Sequence, residues 1–345
     1  MAAAARPPGD RPTLRDVAGR AGVSAMTVTR VLRDDPRVSP ATREKVLAGI
    51  SELGYRPNTV ARSLRLGRGS GLVGLVVTNL ANPFYSRLAL GVDSVVGQQG
   101  LKTVIGNTRQ DLDNERELVA DLVGRRVDGI VVVPASGDQR HLAAAVDAGV
   151  PVVCASRPPV GFDADHVLVD DFGGARNATA RLLAAGHRRV GFLGPPAAVY
   201  TSEERLRGYR EALAAAGVRA DERHVRQGQQ DVEAAMNAAS ELLALAEPPT
   251  ALFCSNNRNT IGAFRAVTAA GQDVALAGFD DFELADVLGL PLTVQAYDSD
   301  ELGSEAGRLL IDRMRPTGPA PPPRRVVLPT RAVHYGGWPR PRGTA

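Results

Sequence analysis

The sequence predicts an α/β protein: a small all-α helix-turn-helix head, a short helix leading into a glycine-rich linker, and a core of two doubly wound parallel sheets. Three observations carry this prediction. Two short helical stretches near the front are joined by a Gly-Val-Ser corner. From Leu72 onward, apolar runs alternate with stretches of helical spacing. The charge is divided unevenly, with 13 Lys/Arg against 6 Asp/Glu in residues 1–70 and 28 against 32 in the remainder. A length of 345 residues suits two or three domains, and a 44% hydrophobic content describes a globular chain. A basic head on a mildly acidic body is the asymmetry of a nucleic-acid-binding module joined to something else. For the charge taken alone, a solvated basic face is the alternative.

In the head, Leu14, Val17, Ala18 and Ala21 fall at i, i+3, i+4 and i+7, one apolar face of a helix. Thr13 is its N-cap, with Asp16 three residues later, and Gly22 ends it. Ser24 caps the next helix, AMTVTRVL, whose Val28, Val31 and Leu32 pack back onto the first. A third helix starts at Ser39 and Pro40 and stops at Gly54. The second helix carries Ser24, Thr27, Thr29 and Arg30 where a surface helix usually carries Glu and Lys. Carboxylates there would be repelled by a polyanion, whereas short hydroxyls bond phosphates or bases at close range. Arg30 has the forked donors to read guanine O6 and N7, and Ala25 and Met26 offer apolar contact suited to a thymine methyl. The residues alone leave a small protein-binding three-helix domain as the other reading.

TLRDVAGRAGVSAMTVTRVL and RVSPATREKVLAGISELGYRPNTVARSLR resemble, at nearly every position from Thr13 to Arg65, the head of the LacI family of transcriptional repressors. The resemblance implies that the second helix lies in the major groove and that Ala25 and Met26 choose the operator. Thr29 stands where many members carry Ser. Residues 58–71, NTVARSLRLGRGSG, read as a short helix capped by Asn58, too short to be helical alone in water. On the residues alone a flexible basic linker is the alternative. The resemblance makes it a hinge helix that orders on the operator beside its twin from a second subunit. Leu64 then matches a leucine that wedges into the minor groove, flanked by Arg62 and Arg65. Gly69, Gly71 and Gly74 satisfy G-x-G-x-x-G, but no strand precedes them, so they do not mark a dinucleotide site.

The strands expected in the body are LVGLVV (72–77), KTVIG (102–106), GIVVVP (129–134), VPVVCAS (150–156), HVLVDD (166–171), VGFLG (190–194), TALFCS (250–255) and VALAGFD (274–280). Helical segments such as RLALGVDSVVGQQG and NERELVADLVGRR lie between them, and a last strand falls near RRVVLP. Such alternation implies parallel sheets covered by helices on both faces. Ligands in these folds sit beyond the carboxyl ends of the strands. The polar residues placed there are Asn82 and Phe84, Asn107, Arg157, Asp170 and Asp171, Asn256 and Asn257, and Asp280. Thr201 and Arg205 join them at the start of TSEERLRGYREAL. Each alone reads as a cap or a loop residue; together they suit a polar, hydroxyl-rich small molecule.

The resemblance extends over ANPFYSRL, DGIVVVP, LAAGHRRVGFLG, ERLRGYREAL and ALAGFDDFELADVLGLPLT, as a periplasmic-binding-protein-like core of two subdomains. It implies that Arg205, Asn256 and Asp280 contact the effector and that the chain crosses three times between subdomains. Effector binding would then shift the spacing of the paired hinge helices. Two departures set this chain apart from the standard sugar pocket: Asn257 replaces the usual Asp, and Gln230 stands where an aromatic often stacks on the ligand. The expected organisation is a tail over 1–12, the helix-turn-helix domain over 13–57 and the hinge helix and linker over 58–70. The effector-binding and dimerisation core follows over 71–335, with a tail over 336–345. Within the core one subdomain takes about 71–168 plus 296–322, the other 169–295 plus 323–335.

Cys154 and Cys254 lie 100 residues apart at the ends of apolar runs and read as lone buried thiols. No signal-peptide h-region and no run of 18 apolar residues is present, so a cytoplasmic protein with no membrane partner is expected. The five histidines, His141, His166, His187, His224 and His334, form no metal-ligand spacing, and neither G-x-S-x-G nor a P-loop occurs. No enzymatic activity, metal or cofactor is expected. An exported solute-binding protein shares the body's architecture but would need export and would have no use for the basic head. No leucine heptad follows the last strand. The expectation is a homodimer on palindromic double-stranded operator DNA. It would repress under control of a small polar effector, a sugar or related metabolite; an activator of the same architecture is the alternative.

Overall fold

The computed structural model describes residues 12–55, 69–283, 285–287, 291–315, 318–319 and 321–338, and the chain divides into two units, 1–70 and 71–345. Asn58, Arg62, Leu64 and Arg65 lie outside the described residues.

The head is built from α1 (Leu14–Ala21), α2 (Ala25–Val31) and α3 (Pro40–Leu53). Its boundaries follow side-chain chemistry. Thr13 N and Oγ1 donate to Asp16 Oδ2 at 2.7 and 2.6 Å, and Thr13 Oγ1 accepts from Asp16 N, closing a capping box. Gly22, at φ 66°, ends α1 in the left-handed region that glycine adopts without a Cβ clash. Val17, Val28 and Val46, one from each helix, are fully buried at the centre, with Ala18 and Val31 beside them. Burial of each valine stabilises by about 1.5–3 kcal/mol, so these contacts rather than the surface pairs Arg20–Glu52 and Arg43–Asp34 hold the three helices.

The core contains two six-stranded sheets. The first has β1 (Leu72–Val77), β2 (Lys102–Asn107), β3 (Gly129–Val132), β4 (Val152–Ala155), β5 (Asp165–Val169) and β11 (Arg325–Leu328). Their order is β11-β5-β4-β3-β1-β2, all parallel. The second has β6 (Val190–Gly194), β7 (Val225–Gln227), β8 (Ala251–Cys254), β9 (Ala275–Phe279), β10 (Leu292–Ala296) and β12 (Arg331–Tyr335). Their order is β12-β10-β9-β8-β6-β7, in which β12 alone runs antiparallel. Strands β1, β3, β4, β6, β8 and β9 are wholly or almost wholly buried, which is why they read as continuous apolar runs. Gly74 sits inside β1, where an added Cβ would lie 2.7 Å from Leu122 Cδ1; packing, not phosphate binding, accounts for it.

One expected boundary is corrected. Residues 323–335 do not all belong with the second sheet: Arg325–Leu328 pair with His166–Val169 in the first, and only Arg331–Tyr335 reach the second. At the entry to this pairing the Asp165 carboxylate accepts from Arg324 N at 2.7 Å and from the guanidinium of Arg313, which adds to the backbone ladder between β5 and β11. Pro329 and Thr330 alone separate strands that lie in different sheets.

Helices α4 (Pro83–Gln98), α5 (Leu112–Gly124), α6 (Arg140–Asp147) and α11 (Ser299–Met314) cover the first sheet. The second is covered by α7 (Asp171–Ala184), α8 (Tyr200–Ala215), α9 (Val232–Leu243) and α10 (Asn257–Ala270). Three helix pairs meet backbone to backbone across glycines. A Cβ on Gly303 of α11 would lie 2.1 Å from Leu88 O of α4. On Gly208 of α8 it would lie 2.3 Å from Phe172 O of α7, and on Gly262 of α10, 2.7 Å from Val232 O of α9. Cys154 and Cys254 are free and buried, and burial pushes both thiols well above the ordinary thiol range.

Candidate functional site: the exposed face of the second helix and a cleft between two lobes

In the head, Ser24 Oγ accepts from Thr27 N at 3.1 Å and meets the Thr27 hydroxyl at 2.9 Å, while Thr29 Oγ1 donates to Ala25 O at 3.0 Å. Thr13 is likewise engaged in its capping box. The hydroxyls expected to approach DNA are therefore first used to build the helix; each retains acceptor capacity for a further partner. Met26 is 63% exposed at the start of α2, Ala25 is half-buried and Arg30 is exposed. Val28 and Val31 on the other side of the helix are buried. The helix thus presents one long cation and one apolar side chain outward from a rigid apolar seat.

The core carries a cavity of about 560 Å³ at the carboxyl ends of both sets of strands. Eight of the eleven residues expected there line it; Asp171 and Asn257 are buried and do not. Asn82, Phe84, Asn107 and Arg157 come from the first lobe, and Thr201, Arg205, Asn256 and Asp280 from the second. Asp170 does not. It is exposed and caps α7, accepting from Gly173 N at 2.9 Å. Its neighbour Asp171 is the buried member of the pair and turns toward Arg205.

Arg205 organises the second lobe's wall. Its Nε donates to Asp171 Oδ1 at 2.7 Å, its Nη1 to Ser255 O, and its Nη2 lies 3.3 Å from Asp280 Oδ1. The guanidinium stacks 3.6 Å from the Phe279 ring centroid. Asp280 also accepts from Tyr297 Oη at 3.0 Å. Burial pushes the Asp171 carboxyl up from 3.8 to about 6, outweighing the pull of Arg205.

Asn82 and Asn256 both begin helices, accepting from Phe84 N at 3.1 Å and from Asn259 N at 2.8 Å. Asn82 has a second role. Its Oδ1 accepts from Asn257 Nδ2 at 3.0 Å, joining the two lobes across the cleft. Phe84 stands edge-on to Tyr85 and Tyr297, with centroids 4.9 and 6.2 Å away. Gln230 also lines the cavity.

Several lining residues were not singled out from the sequence, among them Arg109, Gln110, Ser156, Asp231, Arg258 and Tyr297. Ser156 and Arg258 adjoin residues that were, so extending each strand-end window by one position finds them. Tyr297 follows β10, whose Thr293 and Gln295 interrupt the apolar run. Arg109, Gln110, Ser156 and Asp280 all have positive φ, between 56° and 66°, four of the six such non-glycine residues among those described. Backbone strain is concentrated at the cleft, as at many functional sites. Among the described residues no group of three or more His, Cys, Asp or Glu is placed to hold a metal, and no helix is long and apolar enough to cross a membrane.

A helix-turn-helix head with an outward cation, followed by two lobes around a polar cleft, defines a DNA-binding regulator with a ligand-binding core. Comparison with known proteins agrees. Residues 13–58 match the bacterial regulatory proteins of the lacI family, and residues 70–329 match the periplasmic binding proteins and sugar binding domain of the LacI family. The chain belongs to the LacI family of bacterial transcriptional regulators. It is 38% identical over 335 residues to the HTH-type transcriptional regulator CelR of Thermobifida fusca, covering 94% of this chain and 97% of that protein. It is 32% identical to the HTH-type transcriptional repressor PurR of Vibrio atlanticus, covering 88% and 92%. Among solved structures, the CelR–cellobiose complex aligns with a TM-score of 0.70 at 37% identity over 95% of this chain and all of that one. The lac repressor dimer bound to operator and the anti-inducer ONPF aligns with a TM-score of 0.77 at 27% identity, covering 94% and 98%.

Proposed function

We propose that this chain is a homodimeric repressor that binds a palindromic operator and is released or tightened by a small polar effector held between its lobes. The observation that carries the DNA-binding half is the outward face of α2. Met26 and Arg30 project there from a helix whose opposite side is buried on Val17 and Val46. Ala25 and Met26 select bases, Arg30 reads a guanine, and Thr13, Ser24, Thr27 and Thr29 reach phosphates or base edges with their remaining lone pairs. Asn58, Arg62, Leu64 and Arg65 are assigned to the DNA-contacting hinge, with Leu64 the wedge into the minor groove. The effector half rests on the cleft. Its volume falls within the roughly 300–1,000 Å³ of small-molecule sites, and a cellobiose complex exists for a relative of 37% identity. Asn82, Phe84, Asn107, Arg157, Thr201, Arg205, Asn256 and Asp280 are its contacts. The protein works in the cytoplasm, where its DNA lies, and carries out no chemical step.

Selection of bound sequences from random duplex DNA, with full-length protein at low and moderate salt, tests the reading. A palindrome with a distinct central step that survives moderate salt is the expected result. Binding that is sequence-independent and vanishes with salt would refute specific readout by α2.

A further inference from the structure

We infer that the ligand of the cleft is an anion, a sugar-sized polyol bearing a carboxylate or a phosphate, with its charge answered by Arg157 and Arg258. The inference rests on the effector-binding reading above and specifies the chemistry of the ligand.

Four arginines and two carboxylates line the cavity: Arg109, Arg157, Arg205 and Arg258 against Asp231 and Asp280. Neither carboxylate pairs with Arg109, Arg157 or Arg258. Asp280 is turned to Arg205 and Tyr297, and Asp231 caps α9 by accepting from Ala234 N at 2.8 Å. Arg205 takes the buried Asp171 as well. Arg109, Arg157 and Arg258 have no carboxylate oxygen within 4.0 Å among the described residues.

Arg157 is the decisive case. It is only 6% exposed, and a guanidinium does not shed its charge. Its Nη1 donates to two neutral acceptors, Gln110 Oε1 and Pro134 O, both at 2.8 Å, while its buried Nε has no acceptor. A buried cation without a counterion is costly unless another charge enters the site. Arg258 repeats the pattern from the opposite lobe. Its Nε is buried and without an acceptor, and it lies in the first turn of α10, where the helix dipole also favours negative charge. Its neighbour Asn257 supplies no carboxylate: the amide Oδ1 accepts from Arg258 N at 2.7 Å and Nδ2 donates to Asn82. A neutral sugar would satisfy the donors but not the charge.

Calorimetric titration of the full-length protein at constant ionic strength tests this with matched probes. These are D-glucose, D-glucuronate and D-glucose 6-phosphate; cellobiose and cellobionate; and inorganic phosphate alone. The expected result is that an anionic member of a set binds about tenfold or more tightly than its neutral counterpart, the usual strength of a charge-assisted pair. The same probe should lose about tenfold in Arg258→Gln or Arg157→Gln. The half-buried Arg258 supplies a variant that spares the deeper wall should Arg157→Gln compromise folding. The carboxylate and phosphate arms identify which anion is preferred. A neutral sugar that binds as tightly as its acid, or an acid whose affinity neither variant changes, overturns the inference and leaves the effector cleft standing. Failure of every anion, phosphate included, also overturns it; failure of the neutral sugars as well removes the effector reading for these chemistries with it.

Discussion

Replacing Arg205 with Ala would leave Asp171 and Asp280 facing one another without their shared cation, and the cost can be worked from the contacts. Two contributions are lost: the stack on Phe279, worth about 0.5–2 kcal/mol, and the charged hydrogen bond to Ser255 O, worth roughly 1.5–3 kcal/mol before water replaces it. The third is electrostatic. In the native protein Asp171 titrates at about 6, so above that pH its burial costs on the order of 3 kcal/mol relative to the unfolded chain. Without Arg205 the carboxyl stays protonated to higher pH, and at pH ~7.5 that cost climbs to about 5 kcal/mol. The net deficit should be about 3–5 kcal/mol near neutrality, in the range for breaking a buried ion pair. Near pH ~5 Asp171 is neutral in both proteins, and the deficit should shrink by about 2 kcal/mol. Urea denaturation of both proteins at the two pH values measures it. A deficit under about 1 kcal/mol, or one that does not narrow on acidification, would refute the ion-pair account of this wall.

Three further expectations follow from the same reasoning. Asp171→Asn removes a group whose folded pKa is raised, so wild-type stability should fall relative to the variant as pH rises from about 4 to about 6, then level off; denaturation midpoints across that window check the sign. Gly303→Ala places a methyl 2.1 Å from Leu88 O, forces α4 and α11 apart, and should cost at least about 1–3 kcal/mol, read as a lowered melting temperature of the core. Thr13→Ala dismantles the capping box of α1 and should cost the head about 1 kcal/mol, with Thr13→Ser restoring most of it; hydrogen exchange of the α1 amides reports the local loss.

Much of this was legible in the residues. The caps at Thr13, Ser24 and Ser39 and the stops at Gly22 and Gly54 are local chemistry, and all five appear where the sequence places them. Strands buried on both faces announce themselves as apolar runs, and β1 and β6 match their expected bounds. The strands that were not foreseen are those whose identity depends on distant partners. β7 has three residues, none fully buried; β10 holds the buried polar side chains of Thr293 and Gln295; and β12 lies two residues from a strand of the other sheet. The placement of β11 rests on its pairing with β5, some 160 residues earlier in the chain, and no local pattern encodes such a contact. In the cleft, position after a strand end found six lining residues, and the start of α8 gave Thr201 and Arg205. It could not separate Asp170 from Asp171, because which of two adjacent carboxylates turns inward depends on Arg205 across the lobe.

The order in which the chain visits its two sheets bears on how the protein is made. Helix α11 and strand β11, which complete the first lobe, come after every element of the second lobe except β12, so neither lobe can close until about the last forty residues have been synthesised. The head makes mostly local contacts and needs nothing downstream to assemble its valine core. During synthesis a folded reader of DNA would therefore exist before a core able to hold ligand. A nonsense mutation between β8 and α11 would release a head attached to two unfinished sheets. Such a fragment would escape regulation and expose unpaired strand edges, which makes it a target for chaperones and proteases rather than a weaker version of the whole protein.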